Sequence, residues 1–267
     1  FGVSENEALQ IYKQAQSHKK MKLVMIHFFI NSGIEDTDYY WKELENKIQF
    51  YCKLKKTCPE LKYINIGGGL KTFSSLNKKN SHQNTIDRIV KLIISICNQN
   101  KTEVPDIFTE FGNYTVSNCA CTIFSVIGKK QQDKDISCLI INSSFITTLP
   151  DTWAIDKDFP SIAINNMNID FEEVYFGGLS CDGDDFYDST KNKASIYMPI
   201  FEKSNNLHVG FFNTGAYQEA LGGFGGLQHC LIPSPKYIFA DFDKNKTLIF
   251  TIFKNEQTAE DVISLIS

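Results

Sequence analysis

The sequence predicts an α/β portion followed by an all-β one: part of a parallel β/α barrel over residues 1–113, then an antiparallel β domain over 114–267. Three observations predict it. Buried-strand and amphipathic-helix patterns alternate through the first part, which marks parallel β/α units. From Tyr114 onward they give way to short runs rich in β-branched and aromatic residues, separated by turns. Glycine-rich turns punctuate the whole, at 66–69, at 178–183 and across 209–226.

Taken in order, Ser4-Glu5-Asn6-Glu7 has the form of a capping box, with Ala8, Leu9, Tyr12 and Ala15 following at helical spacing. The apolar run 23–30 reads as a strand buried on both faces. Residues 38–56 predict a second helix, with Trp41, Leu44, Ile48, Tyr51 and Leu54 on one side and Pro59 beyond its end. A strand over 61–66 is stopped by three glycines. A third helix over 85–98 turns Ile86, Ile89, Val90, Ile93 and Cys97 inward, and a third strand over 105–109 ends at Glu110. Beyond Tyr114, short strands fall at 121–127, 136–141, 196–200, 237–239 and 247–253, closed by a helix over 258–266. Three β/α units cannot close an eight-stranded barrel of about 250 residues. The sequence therefore predicts a fragment, or a barrel whose first half belongs to another chain.

Composition narrows the function classes. With 42% hydrophobic and 22% charged residues, the 267-residue chain is globular rather than disordered. A net charge of -4 and a pI near 5.8 give no footprint for nucleic acid. The apolar run at 23–30 is too short to cross a bilayer, which argues against a membrane role. The eight cysteines show no Cys-x-x-Cys spacing, so no zinc site is expected, and they read as reduced thiols of a cytoplasmic protein. Arg88 is the only arginine, which leaves little scope for bidentate binding of phosphate or carboxylate.

Glycines directly after a strand let backbone N–H groups approach a phosphate; a plain strand-to-helix turn uses the same residues. Glu110, at the C-terminal end of a strand, lies where β/α barrels carry their active sites, and equally where a cap or a surface charge would sit.

In order and spacing, Ile66-Gly67-Gly68-Gly69, Thr109-Glu110-Phe111-Gly112, Gly178-Leu179-Ser180-Cys181-Asp182 and Gly215-Ala216-Tyr217-Gln218-Glu219 resemble the motifs of the fold-type III pyridoxal-phosphate decarboxylases. The stretches 144–153 and 222–235 are most similar to the biosynthetic arginine decarboxylases, which serve polyamine and spermidine biosynthesis. The resemblance implies a pyridoxal-phosphate cofactor and an amino-acid substrate, with arginine decarboxylated to agmatine. It assigns Gly67, Gly68, Gly69, Ser32 and Tyr217 to the phosphate and Glu110 to the pyridine nitrogen. Cys181 becomes the proton donor and Asp182 the binder of the substrate's distal cation. In this family those last two act across a dimer interface, so a homo-oligomer with shared active sites is implied.

The chain also departs from the family pattern. No segment matches the motif of the Schiff-base lysine, Phe29 replaces the histidine that stacks on the cofactor, and Asn31 and Asn113 stand where glycine and arginine are usual. A phenyl ring stacks but carries no hydrogen bond. The chain alone is accordingly expected to be inactive. The alternatives are a non-catalytic homologue that binds and modulates a full-length decarboxylase, and an unrelated phosphate-binding protein that uses only the glycine turn.

Overall fold

The computed structural model describes residues 2–34, 37–72, 82–131, 136–188, 195–222 and 229–267. They fall into two compact units, the first ending at Thr115 and the second beginning at Val116.

In the first unit, α1 (Glu5–Gln16) starts at Ser4 with the capping box present in both directions. It is followed by β1 (Met25–His27), α2 (Asp38–Lys55), β2 (Tyr63–Asn65), α3 (Gln83–Gln99), β3 (Asp106–Phe108) and α4 (Gly112–Val116). The three strands pair in parallel in the order β1-β2-β3, the arrangement of successive β/α barrel units. Helix α2 buries Leu44, Ile48, Tyr51 and Leu54 completely. Each such side chain contributes roughly 2–3 kcal/mol of transfer free energy. Helix α3 buries Ile89, Ile93, Ile96 and Cys97, whereas Val90, expected inward, is exposed on the flank of that stripe. Arg88 stacks its guanidinium 3.8 Å above the Trp41 ring.

Strand β1 is shorter than the expected 23–30 and only half-buried. Among the described residues it pairs with β2 alone, and the Val24 carbonyl just before it still accepts the Lys62 and Tyr63 N–H groups at 2.9 and 3.0 Å.

The second unit is built on one seven-stranded sheet. Its elements are β4 (Cys121–Gln131), β5 (Ser137–Ile141), α5 (Phe145–Thr148), α6 (Asp151–Ala154), β6 (Ser161–Ala163), β7 (Phe171–Gly177), β8 (Phe186–Tyr187), β9 (Ile196–Pro199), β10 (His208–Phe212) and α7 (Gln218–Leu221). The order is β6-β10-β4-β5-β7-β8, with β9 also on β7. Pairing is antiparallel except between β5 and β7, where the chain crosses over through α5, α6 and β6 before returning in the same direction. Residues 209–212, expected in a glycine-rich turn, are strand β10 instead. Gly210 sits there between β4 and β6, opposite Ile123 and Ile162, with Val209 and Phe211 on either side of it in the strand. The core is an aromatic cluster of Phe124, Phe145, Phe176, Tyr187 and Phe211, with Phe145 and Tyr187 stacked at 5.7 Å.

A separate hairpin of β11 (Tyr237–Phe242) and β12 (Leu248–Lys254) follows, then α8 (Ala259–Ile263). No helix among the described residues is long and apolar enough to cross a membrane.

Candidate active site

The parallel strands of the first unit end in register at His27, Asn65 and Phe108, and the turns that follow meet one another. The Glu110 N–H donates to the Gly67 carbonyl at 3.0 Å, and the Ile34 N–H donates to the Gly69 carbonyl at 3.1 Å. These approaches require glycine. Gly67 and Gly69 have φ of +73° and +96°, and a Cβ on either would stand 2.8 Å from the Phe28 carbonyl oxygen or 2.7 Å from Gly33 Cα. Gly68 lies against the Glu110 carbonyl, where a Cβ would come within 2.8 Å. Among the described residues no hydrogen bond takes the N–H groups of Gly68 or Gly69.

The Glu110 side chain is half exposed and held in place by Asn65. The Asn65 amide donates to Glu110 Oε1 at 2.8 Å and accepts the Gly67 N–H at 2.9 Å, so it ties the carboxylate to the glycine turn. His27 Nδ1 lies 3.7 Å from the same oxygen. Ser32, in the turn after β1, donates its hydroxyl to the Gly33 carbonyl at 3.0 Å. Phe29 is exposed beside Gly67. Ser32, Gly67, Gly68, Gly69 and Glu110 are thus gathered at the C-terminal ends of parallel strands, which is where barrel chemistry is sited.

In the second unit Cys181 and Asp182 occupy the turn after β7. The anchor beneath them is Asp185, only 5% exposed. Its carboxylate accepts the Phe145 N–H at 2.8 Å and the Ser180 N–H at 2.9 Å. Gly178 leaves room for it, because a Cβ there would lie 2.2 Å from Asp185 Oδ2. Asp182 accepts the Asp184 N–H at 2.8 Å. Cys181 is exposed, and the adjacent Cys230 thiol is the main cause that pushes the Cys181 thiol up from its ordinary value.

Tyr217 sits in the left-handed region (φ 69°) immediately before α7, with its ring exposed. The neighbouring Gln218 side chain is buried and donates to Asp151 Oδ2 at 2.7 Å, which fixes the turn from within.

Sequence reasoning missed Asn65 and Asp185. Both carried a signal: Asn65 is a polar residue at the end of an otherwise apolar strand, and Asp185 is the last carboxylate of Cys181-Asp182-Gly183-Asp184-Asp185. Part of the stretch 222–235 that carries the subgroup resemblance lies outside the described residues.

The chain is similar to known proteins. Residues 1–117 match the family described as pyridoxal-dependent decarboxylase, pyridoxal binding domain. Over that stretch the chain is similar to the pyridoxal-dependent decarboxylases, and the cofactor that this likeness implies is pyridoxal phosphate. Curated relatives include biosynthetic arginine decarboxylases. That of Prochlorococcus marinus subsp. pastoris is 23% identical over 378 aligned positions, covering 100% of this chain and 58% of the relative. That of Geotalea uraniireducens is 21% identical, covering 98% and 58%. The chain thus spans under two thirds of the length of the relatives it matches.

Solved structures share the fold. The biosynthetic arginine decarboxylase of Campylobacter jejuni superposes with a TM-score of 0.79 at 20% identity, covering 100% of this chain and 58% of that one. A diaminopimelate decarboxylase from M. jannaschii gives 0.80 at 18%, covering 99% and 57%. The expected fold class, barrel segment plus β domain, is the one found.

Proposed function

We propose that this chain is the glycine-turn and substrate-tail portion of a pyridoxal-phosphate-dependent carboxy-lyase that converts arginine to agmatine in polyamine biosynthesis. Residues 1–113 are its barrel segment and 114–267 its β domain. One observation carries the reading: three strand-end turns converge so that a glycine cradle and the Glu110 carboxylate are joined through Asn65.

The residues present fit the cofactor. The Gly68 and Gly69 N–H groups receive a phosphate, and the resemblance carries Ser32 and Tyr217 over as further phosphate contacts. When bound, pyridoxal phosphate supplies the electron sink that draws charge from the substrate's α-carbon. Glu110 holds the proton on the pyridine nitrogen, and the Asn65 amide fixes the direction of its carboxylate. The exposed Cys181 thiol delivers a proton to the α-carbon once carbon dioxide has left. The Asp182 carboxylate receives the guanidinium of the substrate. Arginine is favoured over diaminopimelate by the sequence likeness to biosynthetic arginine decarboxylases.

The exposed Phe239, Phe242, Phe250 and Phe253 of the β11–β12 hairpin support association into a homo-oligomer. The eight free thiols suit the cytoplasm. Phe29 in place of a stacking histidine favours a second reading, a non-catalytic homologue that modulates a full-length decarboxylase.

The test is carbon dioxide release from arginine. The 267-residue chain alone is expected to release none, and an assembly that adds a lysine-bearing barrel half is expected to release it. In that assembly Glu110→Ala lowers turnover by roughly two or more orders of magnitude with folding intact, as loss of a preorganised charge partner does. Undiminished turnover removes Glu110 from the mechanism. An assembly that binds arginine without releasing carbon dioxide leaves the modulator reading.

A further inference from the structure

We propose that Cys181 and Cys230 are a thiol pair that a low-molecular-weight disulfide oxidises to an intrachain bond, withdrawing the Cys181 thiol from use.

The two sulfurs lie 3.3 Å apart, and the Cys181 N–H also points at the Cys230 sulfur at 3.4 Å. Both residues are exposed. A bonded pair stands at about 2.05 Å, so each sulfur has to move by roughly 0.6 Å. Cys230 is presented from a left-handed backbone (φ 55°, ψ 21°) that a residue with a Cβ adopts only when its surroundings hold it there.

A second close pair supplies the contrast. The Cys52 and Cys97 sulfurs lie 3.9 Å apart, on α2 and α3, but both are buried and burial pushes the Cys97 thiol up to about 12. That pair is screened from any oxidant and is inert packing. Proximity is common to both pairs. Access belongs to Cys181 and Cys230.

The oxidant is a small disulfide RSSR, such as oxidised glutathione. The Cys181 thiolate attacks one sulfur of RSSR, forming a mixed disulfide and releasing RS⁻. The Cys230 thiolate then attacks the Cys181 sulfur, closing the intrachain bond and releasing the second RS⁻. The protein loses two electrons and two protons, and RSSR is recovered as two RSH. The effect on catalysis rests on the reading of Cys181 as proton donor; the bond itself does not.

The experiment is peptide mapping of the purified chain after incubation with oxidised glutathione, alkylation and digestion without reductant. The expected product is a peptide pair joining Cys181 to Cys230, two hydrogens lighter than the reduced peptides and separated by dithiothreitol. In Cys230→Ser the link disappears and Cys181 carries a glutathione adduct. Recovery of Cys181 and Cys230 both alkylated, or both singly glutathionylated with no link, overturns the proposal. Pyridoxal-phosphate binding by the same preparation, followed by absorbance, tests the functional reading separately. Its failure leaves the linkage result standing.

Discussion

The two turn systems that carry the candidate chemistry are built on opposite plans. In the first unit the residues that would touch a phosphate are also the scaffold. Gly67, Gly68 and Gly69 let backbones from three strand ends lie against one another, and the same missing side chains leave N–H groups accessible. In the second unit the roles are divided. Cys181 stands exposed and Asp182 half-buried in a turn whose shape is set by the buried Asp185 carboxylate below them. A site whose scaffold is its contact surface fails as a whole. One with a separate anchor can lose its chemistry and keep its fold, or lose its fold through a residue that never meets a substrate.

The largest stability effect is therefore expected at the anchor. Asp185→Ala leaves the buried Phe145 N–H and the partly buried Ser180 N–H without this acceptor, and an unsatisfied buried donor costs about 1–3 kcal/mol. We expect a destabilisation of about 3 kcal/mol, read by urea unfolding with the near-ultraviolet signal of the aromatic core. Asp185→Asn keeps one acceptor oxygen and should fall between. A loss below about 1 kcal/mol for the alanine variant breaks the comparison, since the turn would then be held by something else.

The difference between the two plans also explains what could be read in advance. The first unit was legible because its signals are local. Ser4 and Glu7 announce a helix start, Leu44, Ile48 and Tyr51 recur at helical spacing, and Gly67-Gly68-Gly69 has few uses after a strand. In the second unit β6 and β8 were missed, and so were the longer β7 and β10. The sequences of these last two, Phe171–Gly177 and His208–Phe212, mix charged residues or glycine with apolar ones, and only pairing with β5, β4 and β6 makes them strands. The parallel pairing of β5 with β7 is a tertiary fact that no local pattern encodes. Cys181 and Asp182 were legible as a motif, but Asp185 was not legible as their support. Its partner Phe145 lies 40 residues away in sequence.

A middle-sized effect sharpens the comparison from the other side. Asn65 is the nearest the first unit comes to a separate anchor, and it is half exposed, so Asn65→Ala should cost only about 1 kcal/mol of stability. Its effect should appear in cofactor affinity, weakened about tenfold, because an unguided Glu110 must be ordered on binding. Asn65→Asp should be worse than alanine. Aspartate keeps the acceptor for the Gly67 N–H but loses the donor to Glu110, and sets two carboxylates at hydrogen-bond distance. Titration of each variant with pyridoxal phosphate, alongside its thermal midpoint, separates the two effects. If affinity falls only as far as stability does, Asn65 is structural packing and not a positioning residue.

The smallest effect concerns the proton on Cys181. Its thiol is raised above the ordinary value, first through its hydrogen bond with Cys230 and then through the charge that Cys230 would carry. A raised thiol pKa keeps the proton on sulfur over a wider range of pH, which suits a donor and slows any reaction that needs the thiolate. Removing Cys230 removes the leading cause of the shift, so in Cys230→Ala the pKa of Cys181 moves down. At a fixed pH below that pKa more of the residue is then thiolate. The pH profile of iodoacetamide alkylation at Cys181, followed by peptide mass spectrometry, should shift to lower pH in the variant while the profile of Cys119, another exposed thiol, stays in place. A Cys181 profile that does not move, or moves upward, means that Cys230 does not hold the proton on Cys181.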